Sequence, residues 1–361
     1  MTFTMSILAR EITAAISACA QIVDSHSQIP ILRCTRIAVA DGMASFTATN
    51  TDQSVVAKAA CDGSGIICVD TAALSAKVQT LKPDSIVSFV GDGKSVTITQ
   101  GRTKWVAPVL VDDMPVFAEI DAVSVSVDAS FIKGLEQCMP AAEPDGSARA
   151  YLQGVYLDGD RIVATDGRQL RIVQHSATLA GSILVPNRAA SKIAGMFSDG
   201  AEVRCSKLAV SFSTDRLTMR TKLVDATFPA YRRVVPVGSD GLVRVGAQEL
   251  LGAITRAAAI RASGEKAGSF INMQMRIRES EIEMFARNND GEEGSDFTQS
   301  ERMSGGDMDI GFSGAWLIAS VKSLDCDNIE ILYGGQGDPV VMRPINSPIE
   351  NIRVVMPRHF S

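Results

Sequence analysis

Aromatic residues make up only 5% of the 361 positions, and there are only three histidines, at 26, 175 and 359. So few aromatics leave little for base stacking, and so few histidines leave little for metal ligation or proton relay. The seven cysteines are odd in number and scattered, with no Cys-x-x-Cys pair. That argues against a disulfide framework and a structural zinc site, and favours small buried hydrophobes. No apolar run reaches the roughly 20 residues that cross a bilayer. The opening Met1-Thr-Phe-Thr-Met-Ser-Ile7 has neither the basic stretch nor the apolar core of a signal peptide. The expectation is a cytoplasmic protein with no membrane partner, no metal and no cofactor.

What is present is a globular mixture, 46% hydrophobic and 21% charged, with a net charge of −6. This is too apolar for a disordered chain, and the length suits two or three domains. Three segment types recur in the same order. An amphipathic helix appears as Ile7–Ile16, Phe131–Leu135 and Leu250–Ile254, with apolar residues at three- and four-residue steps. A strand running into a polar turn follows as Ser45–Asp52, Ile162–Arg168 and Ile282–Asp290. Next comes a short strand entering a second helix, at Ile66–Leu74, Ile183–Ser191 and Met308–Trp316, and then alternating strands. The pattern predicts an α+β fold of three tandem modules, each two helices plus a mostly antiparallel sheet. Their ranges are 1–123, 124–240 and 241–361.

Charge is distributed unevenly over these units. The helix windows 6–23, 71–82, 128–139, 187–198, 247–261 and 313–324 hold nine basic residues and four acidic ones, so the acidic excess lies elsewhere. Arg10, Lys77, Lys133, Arg188 and Lys192 are among the nine. If these helices share a surface, it is a positive track suited to phosphates without base readout. The ordinary alternative is a set of solvated helix faces.

Catalytic patterns do not emerge. Ser88-x-x-x-x-Gly93-Lys94-Ser95 approaches a phosphate loop, but the residues after it alternate as a strand, so a Gly91–Lys94 hairpin turn is the better reading. Asn288–Asp296 is acidic without calcium-loop spacing. Asp166 beside Arg168 has no nucleophile or relay partner, and Asp-Gly after a strand is usually a turn. No enzyme is expected.

Several segments resemble one family. They are Val163-Ala-Thr-Asp-Gly-Arg-Gln-Leu170, Lys222-Leu-Val-Asp-Ala-Thr-Phe-Pro-Ala-Tyr-Arg-Arg233, Tyr151-Leu-Gln-Gly154, Met308-Asp-Ile-Gly-Phe312 and the terminal Val354-Val-Met-Pro357. In order and over essentially the whole chain, they are similar to the bacterial sliding clamps, the beta subunits of DNA polymerase III. The resemblance implies a head-to-tail homodimer of three-domain subunits closing a ring around double-stranded DNA, with helices lining the hole. Such a ring is a processivity factor without catalysis. It tethers the DNA polymerase III alpha subunit and also meets a clamp loader and other proteins carrying clamp-binding motifs.

Carried over by motif, the implied peptide pocket takes Leu152, Thr165, Gly167, Arg168 and Leu170 from the middle third. Pro229, Arg233 and Val234 come from the specific block, and Val354, Met356 and Pro357 from the terminus. Aliphatic walls and an adaptable methionine suit several peptides, although some of these side chains could equally be plain core. Arg149 and Tyr151 lie where the family contributes DNA contacts. The subunit contact implied involves Trp105 on one side and Ile260-Arg261 on the other. Arg261 stands where the family tends to be apolar; it could pair with an acid such as Asp112 or weaken the ring. The family's His-Arg pair is Arg168-Gln169 here, and the terminus reads Met356-Pro-Arg-His-Phe-Ser361. A rival reading follows from Arg261: a clamp-like protein that binds clamp partners through the pocket without encircling DNA.

Overall fold

The computed structural model describes residues 3–115, 117–144, 146–179, 181–236, 238–260, 272–288 and 290–360. Arg261 lies outside them. Contacts divide the chain into two compact units, residues 1–129 with 192–223, and residues 130–191 with 224–361.

One order of elements, β-α-β-β-β-β-α-β-β-β, occurs three times. The first run is β1 (Phe3–Leu8), α1 (Ala9–Ala20), β2 (Cys34–Ala40), β3 (Met43–Thr49), β4 (Gln53–Ala60), β5 (Asp62–Asp70), α2 (Thr71–Val78), β6 (Ile86–Gly91), β7 (Ser95–Gln100) and β8 (Thr103–Pro108). The second is β9 (Val125–Asp128), α3 (Ala129–Cys138), β10 (Gly154–Asp158), β11 (Arg161–Thr165), β12 (Gln169–Gln174), β13 (Ser182–Pro186), α4 (Asn187–Met196), β14 (Gly200–Cys205), β15 (Ala209–Ser213) and β16 (Leu217–Lys222). The third is β17 (Gly241–Gly246), α5 (Ala247–Ala257), β18 (Asn272–Ile277), β19 (Glu281–Arg287), β20 (Glu293–Ser304), β21 (Met308–Ser313), α6 (Gly314–Leu324), β22 (Asn328–Tyr333), β23 (Val340–Pro344) and β24 (Asn351–Val355). All six helix windows read from the sequence contain a helix. Lys82 falls beyond the end of α2, because the chain turns ahead of Pro83.

Each unit holds one 12-stranded sheet, and every pairing in it is antiparallel. The first unit has the order β8-β7-β6-β1-β5-β2-β3-β4-β16-β15-β14-β9, and the second β13-β10-β11-β12-β24-β23-β22-β17-β20-β19-β18-β21. Strands of different runs join twice, with the same two strand types each time. The strand after the polar turn, β4 or β12, pairs with the last strand of the next run, β16 or β24. In the third run that turn strand is β20. Its residues 293–299 pair with β19 and residues 300–304 with β17. This leaves one side of residues 293–299 without a ladder, as is one side of the edge strand β8.

The helices lie on these sheets through apolar stripes. In α1, Ala9, Ile12, Ala15, Ile16 and Cys19 are buried at helical spacing, and α1 packs beside α2. In α5, Leu250, Ala253, Ile254 and Ala257 do the same beside α6. The Asp70 carboxylate caps α2 by accepting from the Ala73 amide at 2.8 Å. Five of the seven cysteines are buried and two half-buried. Burial pushes the Cys19 and Cys68 thiols up to about 12, so they stay protonated and serve as packing. The Gly91–Lys94 hairpin is present. The Asp92 carboxylate accepts from the Lys94 and Ser95 amides, and Gly93 holds φ +88°.

Candidate functional site

The polar turn between β11 and β12 sets up the second unit's candidate site. Asp166 Oδ1 accepts from the amides of Arg168 and Gln169 at 2.8 and 2.9 Å, and the Thr165 hydroxyl donates to the Gln169 carbonyl at 2.6 Å. Gly167 occupies the left-handed region at φ +82°. The β3–β4 turn repeats this arrangement atom for atom. Asn50 Oδ1 accepts from Asp52 and Gln53, Thr49 donates to the Gln53 carbonyl, and Thr51 has φ +76°. Asp166 is therefore a turn former with both amides in hand, not a catalytic acid.

From the turn, β12 runs beside β24 with Leu170 opposite Val354 and Ile172 opposite Ile352. Side chains alternate across a strand, so these four share one face. There they join Phe228, Tyr231 and Val341 in one apolar cluster. The Tyr156 and Phe228 rings stack at 4.5 Å, and the Tyr231 hydroxyl donates to Asp158 at 2.9 Å. Together these contacts seat the segment that carries Pro229, Arg233 and Val234. Burial works against ionisation of Asp158, but Ser182, Tyr231 and Arg232 outweigh it and hold the carboxyl below its ordinary range.

The residues assigned to the pocket thus divide in two. Leu152, Leu170 and Val354 are packed as core, and Thr165 is buried at the turn. Val234 and Met356 remain open at 55% and 38% exposure, with Pro229, Arg233, Gly167 and Arg168 exposed and Pro357 half-buried. The Met356 amide donates to the Arg168 carbonyl at 2.8 Å, extending the β12–β24 ladder and bringing those two residues side by side. A cavity of about 400 Å³ is lined by Arg168, Trp316, Met356, Pro357 and Arg358. Trp316 and Arg358 were not singled out in the sequence. The tryptophan lies in the first turn of α6, where its spacing reads as an ordinary core-facing aromatic.

On the opposite face of the same strand pair stands Arg171 directly across from Arg353, both fully buried. Among the described residues no carboxylate is bonded to either guanidinium. Arg171 donates to the Gln137 carbonyl at 2.9 Å, and Arg353 donates to the Ser323 carbonyl and hydroxyl at 2.7 Å each. Gln137 and Ser323 lie in the last turns of α3 and α6, where unpaired carbonyls carry the negative end of the helix dipole. Burial pushes both guanidiniums down to about 10, which still leaves them charged at neutral pH.

The residues assigned to DNA are mostly engaged within the chain. Arg149 pairs with Glu143 and donates to the Asp166 carbonyl, which puts it against Gly167 at the turn instead of on a helix. Tyr151 is partly exposed in the same segment. Arg10 pairs with Asp84 at 2.9 Å, Lys133 with Asp325, and Arg256 with Asp296. Lys77 donates to the Ala73 carbonyl and Lys192 to Gln53, while Arg188 is exposed on α4. Of the subunit-contact residues, Trp105 lies on the edge strand β8. Ile260 is a core residue, 8% exposed, whose side chain closes on Gly294 of β20. Asp112 is already paired with Arg36 at 2.8 Å. Among the described residues no helix is long and apolar enough to cross a membrane, and no group of three His, Cys, Asp or Glu is placed to hold a metal ion.

A three-module α+β chain with twin antiparallel sheets has the fold of the DNA clamps. Solved clamps from C. crescentus and Thermotoga maritima match it with TM-scores of 0.90 and 0.87, at 21% and 23% identity. The first match covers all of both chains, and the second 99% of this chain and all of the other. The family model described as DNA polymerase III beta subunit, C-terminal domain, matches residues 232–358. Beta sliding clamps of Vibrio cholerae and Pseudomonas aeruginosa are 24% and 23% identical, covering 85% and 94% of this chain and 86% and 95% of their own. Residues 232–358 thus match the C-terminal domain of DNA polymerase III beta subunits, and along most of its length the chain is similar to the beta sliding clamps.

Proposed function

We propose that two copies of this chain close head to tail into a ring that encircles double-stranded DNA and tethers a replicative polymerase in the cytoplasm. The observation that carries this reading is the strand arithmetic. The two joins within the chain, β4 with β16 and β12 with β24, consume all but one strand of each kind. Residues 293–299 of β20 and the edge strand β8 are left over, in the third and first runs. A second copy satisfies both by the same join, and a repeated heterologous contact that closes gives a ring. On this reading the domains are 1–123, 124–240 and 241–361. Trp105 lies at the joint on β8, with Ile260 next to its β20 side and Arg261 following it in the sequence.

The helix cations Arg10, Lys77, Lys133, Arg188 and Lys192, with Arg149 and Tyr151, then face the duplex. Their contacts are salt-screened and indifferent to sequence, as sliding requires. The groove from Arg168 and Leu170 to Met356 and Pro357, with Pro229, Arg233 and Val234 at its edge, receives linear motifs of the polymerase alpha subunit, the clamp loader and other partners. The ion pairs of Arg10, Lys133 and Arg256 favour a second reading, in which the protein holds such partners off DNA. Exposed pairs of this kind are worth only ~0–1 kcal/mol, so phosphates can displace them.

The experiment is retention on nicked circular DNA, loaded by the clamp loader of the source cell, before and after linearisation. A clamp stays on the circle and runs off the linear form. Equal retention on both, or none on either, supports the second reading.

A further inference from the structure

Trp316 is engaged by two guanidinium groups, that of Arg168 at 5.7 Å from the ring centroid and that of Arg358 at 5.8 Å. Both arginines are exposed, and among the described residues neither guanidinium has a carboxylate partner. Their backbones are fixed. The Arg168 carbonyl holds the Met356 amide, and the Arg358 amide donates to the Gly311 carbonyl on β21 at 2.8 Å. Gly311 allows that close approach, since a Cβ there would lie 2.2 Å from the Arg358 carbonyl oxygen. Phe360 then locks the tail by an edge contact to Phe285 at 5.7 Å. The cavity these residues line is apolar along Met356, Pro357 and the indole, and doubly cationic at its edge.

We propose that this cavity selects linear peptides in which an aliphatic side chain is flanked by carboxylates. The aliphatic group packs on Met356 and Pro357 and a carboxylate bridges Arg168 and Arg358. Stacking on tryptophan leaves the guanidinium N–H edges free to donate, and a site with two unpaired cations beside an apolar floor is complementary to an acidic, apolar segment. A single-stranded nucleic acid is a poorer fit, because a stacked base would compete with a cation for the indole. The inference rests on the peptide-groove reading above and adds the charge of the occupant.

The test uses the full chain and fluorescein-labelled Gly-Asp-Leu-Asp-Leu-Asp-Gly, its Asn-for-Asp counterpart and oligothymidylate, read by anisotropy. The Asp peptide is expected to bind the unsubstituted protein about tenfold more tightly than the Asn peptide at low salt. Arg168→Gln with Arg358→Gln should abolish that difference, bringing the Asp peptide's affinity down to that of the Asn peptide on the same variant. Met356→Ala should weaken both peptides. Equal binding of the two peptides to the unsubstituted protein overturns the proposal and leaves the groove standing. So does a preference that survives the double substitution, or a loss in the double variant confined to oligothymidylate. Failure of both peptides to bind, with no effect of Met356→Ala, overturns the groove reading and the proposal together.

Discussion

Thr51 and Gly167 occupy the same place in two equivalent turns, one with a β-branched side chain at φ +76° and the other with glycine at φ +82°. The left-handed region costs a residue with a Cβ roughly 1–2 kcal/mol, and glycine gives back part of that as unfolded-chain entropy. Thr51→Gly should therefore raise stability by about 0.5 kcal/mol, whereas Gly167→Thr should lower it by about 1–2 kcal/mol. The second change also crowds the Arg149 guanidinium, which lies 3.1 Å from where the Cβ would be. Urea unfolding of the two variants checks the opposite signs. The buried arginines differ in a similar way. Arg353 makes three hydrogen bonds of 2.7 Å, whereas the Arg171 Nε has no partner. Arg353→Met should cost about 2–4 kcal/mol and Arg171→Met clearly less, because removing the first strands the α6 carbonyl and the Ser323 hydroxyl. Neither arginine was legible as buried. Leu170-Arg-Ile172 and Ile352-Arg-Val354 alternate like strands with one wet face, and nothing local says that α3 and α6 end over the polar side.

Among the elements, β22 carries Glu330 between Arg244 on β17 and Arg343 on β23. Burial favours the protonated acid, but the hydrogen bonds from both arginines win and hold its carboxyl below the ordinary range. Its contribution is therefore fully present above the unfolded value of about 4.3 and is lost as pH falls through the lower folded value. Glu330→Gln should be less stable than the unsubstituted chain at pH 7, with the gap narrowing at pH 3, as urea midpoints at the two values would show. The helices and the strand-turn repeats were readable because period 3.6 and period 2 are local signals. The joins β4–β16 and β12–β24 were not, because register between distant strands is set by tertiary packing. The candidate groove was only half readable. The Asp166 turn and the Val354–Pro357 segment are contiguous, but Trp316 and Arg358 reach them only when the tail lies along β21.

In the whole molecule, the joins β4–β16 and β12–β24 leave residues 293–299 of β20 and the outer edge of β8 as two strand edges of complementary kind. Phe297, half exposed on β20, and Trp105 on β8 lie on those edges. Phe297→Asp should break the joint by setting a desolvated charge in it, without loss of fold, because residues 293–299 keep their ladder to β19. Light scattering over a range of protein concentration and salt tests the head-to-tail join most directly. The join gives a species of twice 38.4 kDa for the unsubstituted chain, and the monomer mass for Phe297→Asp. A monomer at every concentration for the unsubstituted chain would contradict it.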